Sequence, residues 1–224
     1  LAGTTVTNAT LHKQDFIDKL DVRVGDTVRV RKAGEIIPEV LEVVKEKRPE
    51  GAEPYHLPDK CPECGAPIVR DEDGVALRCT GAECPAQRLR NIIHFASREA
   101  MDIEGLGESV AASLVAAGLL TTPAGIYYLN AEDIAKLDRM GKKSAENLIN
   151  AIEKSKSAGL ARLLCAFGIR QVGSKAGKVL AAHFGSLDAV MSAGEEELQD
   201  IPDIGAITAR SIREWFDSEQ SQHQ

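Results

Sequence analysis

Aromatic residues are scarce: five Phe, three Tyr and one Trp make up 4% of the 224 residues. That scarcity excludes a single-strand binder that stacks successive bases on a row of exposed rings, since no such row exists. It also requires cores built from Leu, Ile, Val and Ala, which favours small helices. A net positive charge is lacking too. The 27 Lys and Arg against 34 Asp and Glu leave the chain at −7, which taken whole argues mildly against a nucleic-acid partner. No basic-plus-apolar leader opens the sequence, and the longest near-apolar stretch, Val110 to Leu120, is far too short to span a bilayer. The expectation is a soluble, cytoplasmic protein with no membrane partner. Only five cysteines occur, four of them between positions 61 and 84, a clustering that suits metal ligands in a reducing compartment better than a disulfide framework. The fifth, Cys165, lies among Leu163, Leu164, Ala166 and Phe167 and reads as a buried small apolar residue.

Charge is distributed unevenly. No acid lies between Glu153 and Asp188, whereas that stretch holds Lys154, Lys156, Arg162, Arg170, Lys175 and Lys178. A positive face is therefore compatible with an acidic protein, a solvated helix face with no ligand being the alternative for such a stretch alone. The first 48 residues read as strands, with runs at Thr4 to Ala9, Thr27 to Val30 and Val40 to Val44 and a turn at Ala33-Gly34-Glu35 closed by Pro38. The chain starts directly in an extended segment, as if cut from a longer protein. Residues 49–60, rich in proline, read as a linker. From about Gln87 the pattern turns helical, with Leu89, Ile92, Ile93 and Ala96 on one face, and it stays so to a polar tail, 218–224. The fold class expected is multidomain and mainly α: a truncated β segment, a small zinc ribbon over 61–86, and helical pairs over 87–157 and 158–217.

The cysteines run Cys61-x2-Cys64 and, fourteen residues on, Cys79-x4-Cys84, a spacing close to that of a four-cysteine structural zinc site on a short hairpin. Asp71-Glu72-Asp73-Gly74 reads as the hairpin turn. Four thiolates leave no open coordination position, so the Zn2+ is structural rather than catalytic. An iron–sulfur cluster is the rival, though cluster motifs usually place three cysteines closer together.

An internal repeat carries more weight. Glu104-Gly105-Leu106-Gly107, Asp138-Arg139-Met140-Gly141, Arg170-Gln171-Val172-Gly173 and Pro202-Asp203-Ile204-Gly205 each precede a helix rich in small residues, and their final glycines are spaced by 34, 32 and 32 residues. At a helix N-terminus the unpaired N–H groups and the positive end of the dipole point outward together, and glycine lets a phosphate oxygen approach them. The alternative is that these glycines are helix C-caps or tight turns. Arg139, Lys142 and Lys143 surround the second hairpin and Arg170, Lys175 and Lys178 the third, while acids flank the first and only Arg210 follows the fourth. Hairpins two and three are expected to dominate affinity.

Gly3-Thr-Thr-Val-Thr-Asn-Ala-Thr-Leu-His12, Asp21-Val-Arg-Val-Gly-Asp26, Arg31-Lys-Ala-Gly-Glu-Ile-Ile-Pro38, the four cysteines and the four hairpins, in this order, closely resemble the C-terminal half of bacterial NAD-dependent DNA ligases. The resemblance implies an OB-fold for the β segment, zinc on the cysteines, and two pairs of helix-hairpin-helix motifs contacting a nicked duplex. It further implies that Arg29, Arg31 and Lys32 press on phosphates near the nick. Three departures limit the transfer: no Lys-x-Asp-Gly adenylation motif occurs, the opening OB strands and a BRCT domain are lacking, and Lys13 stands where Asn is expected after Thr-Leu-His. The molecule so implied is a monomeric DNA-binding clamp without a catalytic or cofactor-binding residue of its own, with NAD and Mg2+ serving only the parent enzyme in replication and repair near the nucleoid. A stand-alone junction-binding module and a helical interaction scaffold are the competing readings.

Overall fold

Residues 5–33, 37–70, 76–81 and 84–222 are described by the computed structural model, and the chain falls into two units, Leu1–Gly81 and Ala82–Gln224. In the first unit β1 (Val28–Ala33) pairs antiparallel with β2 (Ile37–Val43), Val28 opposite Val43 and Lys32 opposite Pro38, with a register shift between Arg29 and Val30. Pro38 lies inside β2, and its carbonyl accepts a hydrogen bond from the Thr10 N–H at 2.8 Å. The run expected as a strand over Thr4 to Ala9 makes no ladder in its described part, 5–9. Its neighbour Thr10 contributes a single parallel bridge to Glu39. Position 4 and the turn residues 34–36 lie outside the described residues.

A helix, α1 (Gln14–Leu20), forms where strands were expected. It buries Ile17 and ends at Asp21, whose φ of 49° is left-handed. Its N-cap is Lys13, which makes no side-chain cap; the Asn expected there carries an oxygen suited to that task. Asp21 and Asp26 bind Arg48 at 2.8 and 2.9 Å, and the Asp26 side chain is only 1% exposed. The Arg48 and then the Arg23 hydrogen bonds pull the Asp21 carboxyl down to about 2. The stretch 49–60 is fastened to this unit, as the Arg23 guanidinium donates to the Ala52 carbonyl at 2.6 Å and the Leu57 N–H donates to Gln14 at 2.7 Å. The cysteine hairpin β3 (Ile68–Arg70) and β4 (Leu77–Cys79) pairs Ile68 with Cys79. Its expected turn, 71–74, is outside the described residues.

The second unit is helical. Its first core joins α2 (Pro85–Ala96), α3 (Glu108–Ala116), a 3-10 turn (Pro123–Tyr128), α4 (Ala131–Ala135) and α5 (Lys142–Ser155) around Ile92, Leu114, Ile126, Ile134 and Leu148, all at or below 1% exposure. Pro85 at the first helical position, where its missing N–H costs nothing, starts α2 two residues before Gln87, from which the stripe of Leu89, Ile92, Ile93 and Ala96 was expected. The second core joins α6 (Leu160–Ala166), α7 (Ser174–Phe184), α8 (Leu187–Ser192), α9 (Glu195–Gln199) and α10 (Ala206–Asp217) around Leu164, Leu180, Val190, Leu198 and Ile212. Each such side chain contributes about 1.5–3 kcal/mol of burial. Polar clamps join the two cores: Arg162 donates to the carbonyls of Ala100 at 2.7 Å and Arg98 at 2.6 Å, and the His94 ring meets the Cys165 carbonyl at 2.9 Å. Where the sequence reads as a polar tail, a short helix, α11 (Glu219–Gln222), follows Ser218. No helix among the described residues is long and apolar enough to cross a membrane.

Helices α6 and α7 approach so closely at Gly177 that a Cβ there would lie 2.5 Å from the Ala161 carbonyl oxygen. Backbone cannot give way as a flexible side chain can. Gly177→Ala is therefore expected to lower stability by about 1–3 kcal/mol, read as a fall in thermal midpoint. An unchanged midpoint would show that α6 and α7 are free to separate.

Candidate nucleic-acid interface and metal centre

Cys61 and Cys64 sit on a turn closed by the Gly65 N–H to the Cys61 carbonyl at 2.9 Å, with Gly65 at φ +73°. Cys79 ends β4, and Cys84 is the N-cap of α2. The four Sγ atoms lie within 4.8 Å of one another. Tetrahedral zinc with bonds of about 2.3 Å needs sulfurs roughly 3.8 Å apart, so the donor set and its spacing fit the ion. Backbone N–H groups of Cys64 first and Glu63 next pull the Cys61 thiol down to about 7, which eases the deprotonation that metal binding demands. Gly81, passed over in the sequence, is part of this site: a Cβ on it would lie 2.8 Å from the Cys64 Sγ and 3.3 Å from the Cys79 Sγ. Cys165 is buried, and burial pushes its thiol up, as suits an inert packing residue.

The four hairpins share one backbone. In each, an N–H donates to the carbonyl three residues back: Leu106 to Ile103, Met140 to Leu137, Val172 to Ile169 and Ile204 to Ile201, at 3.0–3.2 Å. The residue before each donor is left-handed, namely Gly105 (φ 89°), Arg139 (62°), Gln171 (64°) and Asp203 (72°). Only the first of these is glycine, so three hairpins hold a side chain in a conformation disfavoured for L-residues. Apolar residues anchor the first, third and fourth hairpins, since Ile103, Leu106, Ile169, Val172, Ile201 and Ile204 are all buried, while Leu137 and Met140 of the second are partly buried.

Each hairpin's final glycine is a helix N-cap and not a C-cap. Gly107, Gly141, Gly173 and Gly205 precede α3, α5, α7 and α10 with φ between −80° and −98°, and none has a side-chain cap. Those angles are open to any residue, and a Cβ at each would meet nothing within 4 Å. Neither conformation nor packing asks for glycine at these four positions. Their carbonyls begin the helices, accepting from Ala111, Ala145, Gly177 and Ala209 at 2.9–3.0 Å, while the first-turn N–H groups face outward.

The structure sorts the cations expected to assist. Arg139, Lys142 and Lys143 are exposed and, with Lys178, make no ion pair among the described residues. Arg170 beside the third hairpin is exposed and has an internal contact. Lys175 binds Asp203 of the fourth hairpin at 2.8 Å, and Arg210 lies 3.9 Å from Glu195. Within the acid-free stretch, Lys156 pairs with Glu153 and Arg162 is engaged by the carbonyls of Ala100 and Arg98. In the first unit Arg29 pairs with Glu42 at 3.0 Å, while Arg31 binds Glu39 at 2.6 Å, a carboxylate that His12 also meets at 3.2 Å. Arg31 and then His12 hold Glu39 below its usual range. Lys32 is half-buried opposite Pro38. A cavity of about 970 Å³ opens beside the first hairpin, lined by Asp102, Glu104, Gly105, Asn147 and Lys154 among others. Its lining thus carries charges of both signs.

A strand pair, a four-thiol cluster and four hairpins that each lead into a helix define a multidomain architecture of the helix-hairpin-helix class. Family models agree piece by piece: the NAD-dependent DNA ligase OB-fold domain matches residues 1–52, the NAD-dependent DNA ligase C4 zinc finger domain 60–86, a SAM-like helix-hairpin-helix tandem 97–154 and a helix-hairpin-helix motif 162–224. The chain carries the OB-fold and C4 zinc finger domains of NAD-dependent DNA ligase, followed by helix-hairpin-helix domains. It is 57% identical over 216 residues to a DNA ligase of Carboxydothermus hydrogenoformans, covering 96% of this chain and 32% of that protein. It is 54% identical over 221 residues to one of Pelotomaculum thermopropionicum, covering 99% and 32%. With a DNA ligase of Heliobacterium modesticaldum the identity is 55% over 216 residues, covering 96% and 32%. The chain thus spans about a third of the length of these relatives.

Proposed function

We propose that this chain is the DNA-gripping portion of an NAD-dependent ligase and holds the backbone of a nicked duplex through its hairpins. The observation that carries this is the set of four N-cap glycines whose φ angles and surroundings would accept a side chain. A phosphate seated on the first-turn N–H groups supplies the missing reason, because a Cβ there would stand where the oxygen approaches. Arg139, Lys142, Lys143 and Lys178 add charge to a contact made chiefly by neutral backbone, which is how a chain of net charge −7 holds an anion. The zinc is structural and keeps the ribbon folded. The chain acts in the cytoplasm as a monomer and leaves adenylation, with its NAD and Mg2+, to a nucleotidyltransferase domain carrying Lys-x-Asp-Gly. Its share of nick sealing is to position the strand ends.

Binding of a labelled nicked duplex, an intact duplex and a single strand of equal length, titrated across salt, tests this. Duplex binding is expected, with log affinity against log salt falling at a slope of roughly −3 to −4 for about four neutralised phosphates. No duplex binding at low salt by the folded, zinc-loaded chain would overturn it in favour of a protein-interaction scaffold.

A further inference from the structure

Lys175 sits in the first turn of α7, two residues past Gly173, and its side chain is 78% exposed, yet its partner is the Asp203 carboxylate at 2.8 Å. That carboxylate belongs to the next hairpin, where Asp203 is left-handed at φ 72°. Glycine occupies the equivalent position of the first hairpin at φ 89° and adopts it without strain. The fourth hairpin offers Asp203 no cation in its own first turn, which reads Ala206-Ile207-Thr208, with Ile207 65% exposed. Asp203 thus holds a disfavoured backbone conformation and serves a neighbour's lysine.

Resting on the DNA-gripping reading, we propose that Asp203 is an internal competitor for the phosphate of the third hairpin: its carboxylate occupies Lys175 in the free protein and is displaced when a backbone phosphate arrives. Both partners are more than half exposed, and ion pairs of that kind are weak and readily exchanged. A phosphate on the Gly173 turn can also use the first-turn N–H groups of α7, which the Asp203 carboxylate does not contact among the bonds seen. Displacement therefore favours the phosphate only when it engages hairpin and lysine together. After displacement Asp203 is left as a negative charge at the tip of the fourth hairpin, making that hairpin the least receptive to phosphate of the second helical pair. The contact sets affinity below its attainable value and ranks the two hairpins.

The test is a double-mutant cycle on duplex affinity at low salt in the full chain, with Asp203→Asn, Lys175→Gln and their combination, and Asp200→Asn as a control that removes one nearby charge lacking an ion pair among the described residues. Asparagine tolerates the left-handed conformation, so the fold is retained. Asp203→Asn is expected to tighten binding roughly three- to tenfold, clearly more than Asp200→Asn, and most of the gain is expected to vanish in the Lys175→Gln background. Equal gains from the two aspartates, or a gain that survives without Lys175, would overturn the competitor and leave the DNA-gripping function standing. Failure of every form to bind duplex would overturn both, whereas binding by Asp203→Asn alone would support both.

Discussion

Replacing Cys64 or Cys79 by serine is expected to abolish stoichiometric zinc and to unravel residues 61–84 while the helical signal persists. Structural zinc in small modules contributes about 10–16 kcal/mol of binding free energy that is also folding free energy. The cysteine ribbon has little else: β3 and β4 are three residues each, and Val69 and Leu77 are exposed at 49% and 37%. Two of the thiols are its buried part, Cys61 and Cys84 at 8% and 1% exposure, while Cys79 is half-buried and Cys64 exposed. The two helical cores, in contrast, contain none of the four metal-site cysteines. Elemental analysis gives the zinc content, limited proteolysis after Arg70 and Arg78 reads the ribbon, and far-ultraviolet circular dichroism reads the helices. One zinc per chain retained in the serine variants, or a ribbon still protected after chelation, would contradict the four-thiolate assignment. Because the ligands bind as thiolates, zinc is held more weakly as pH falls, and Cys61, held at about 7, is favoured as a thiolate over an ordinary cysteine near neutrality.

Replacing Gly141 and Gly173 together by serine is expected to leave the fold as stable as before, or slightly more so, and to weaken duplex binding roughly a hundredfold. Serine is a better N-cap than glycine by a few tenths of a kcal/mol, because its oxygen accepts from a first-turn N–H. The added Cβ meets no atom of the protein within 4 Å. A phosphate loses both the space and one of the N–H donors. At about 1.5 kcal/mol for each charge-assisted hydrogen bond, two sites account for roughly two decades of affinity. Gly177→Ala, a few residues along the same helix as Gly173, should do the reverse and damage the fold, since its neighbour is the Ala161 carbonyl.

Periodic features were legible in the sequence. The repeat of apolar-Gly hairpins, the cysteine spacing and the stripe from Leu89 to Ala96 all depend on residues near one another in the chain, and the structure places each on the expected kind of element. Helix α1 was not legible, because Lys13 supplies no capping side chain and β-rich segments surround it. Aligning the four hairpins could have revealed the left-handed position, as Gly105 marks it once, but Arg139, Gln171 and Asp203 hide it in the other three. The state of the cations was the least accessible. Lys175 meets an acid 28 residues away, and Arg162 meets carbonyls more than 60 residues away; only tertiary packing brings such pairs together. Gly81 and Gly177 look like ordinary glycines until the sulfur or the carbonyl beside each is seen.

The most direct measurement is a side-by-side melting and duplex-binding comparison of the parent chain with the Gly141→Ser, Gly173→Ser double variant. Equal or higher thermal midpoint with roughly hundredfold weaker binding is the predicted result. Unchanged binding at unchanged stability would contradict the claim that these N-cap glycines are kept for a phosphate.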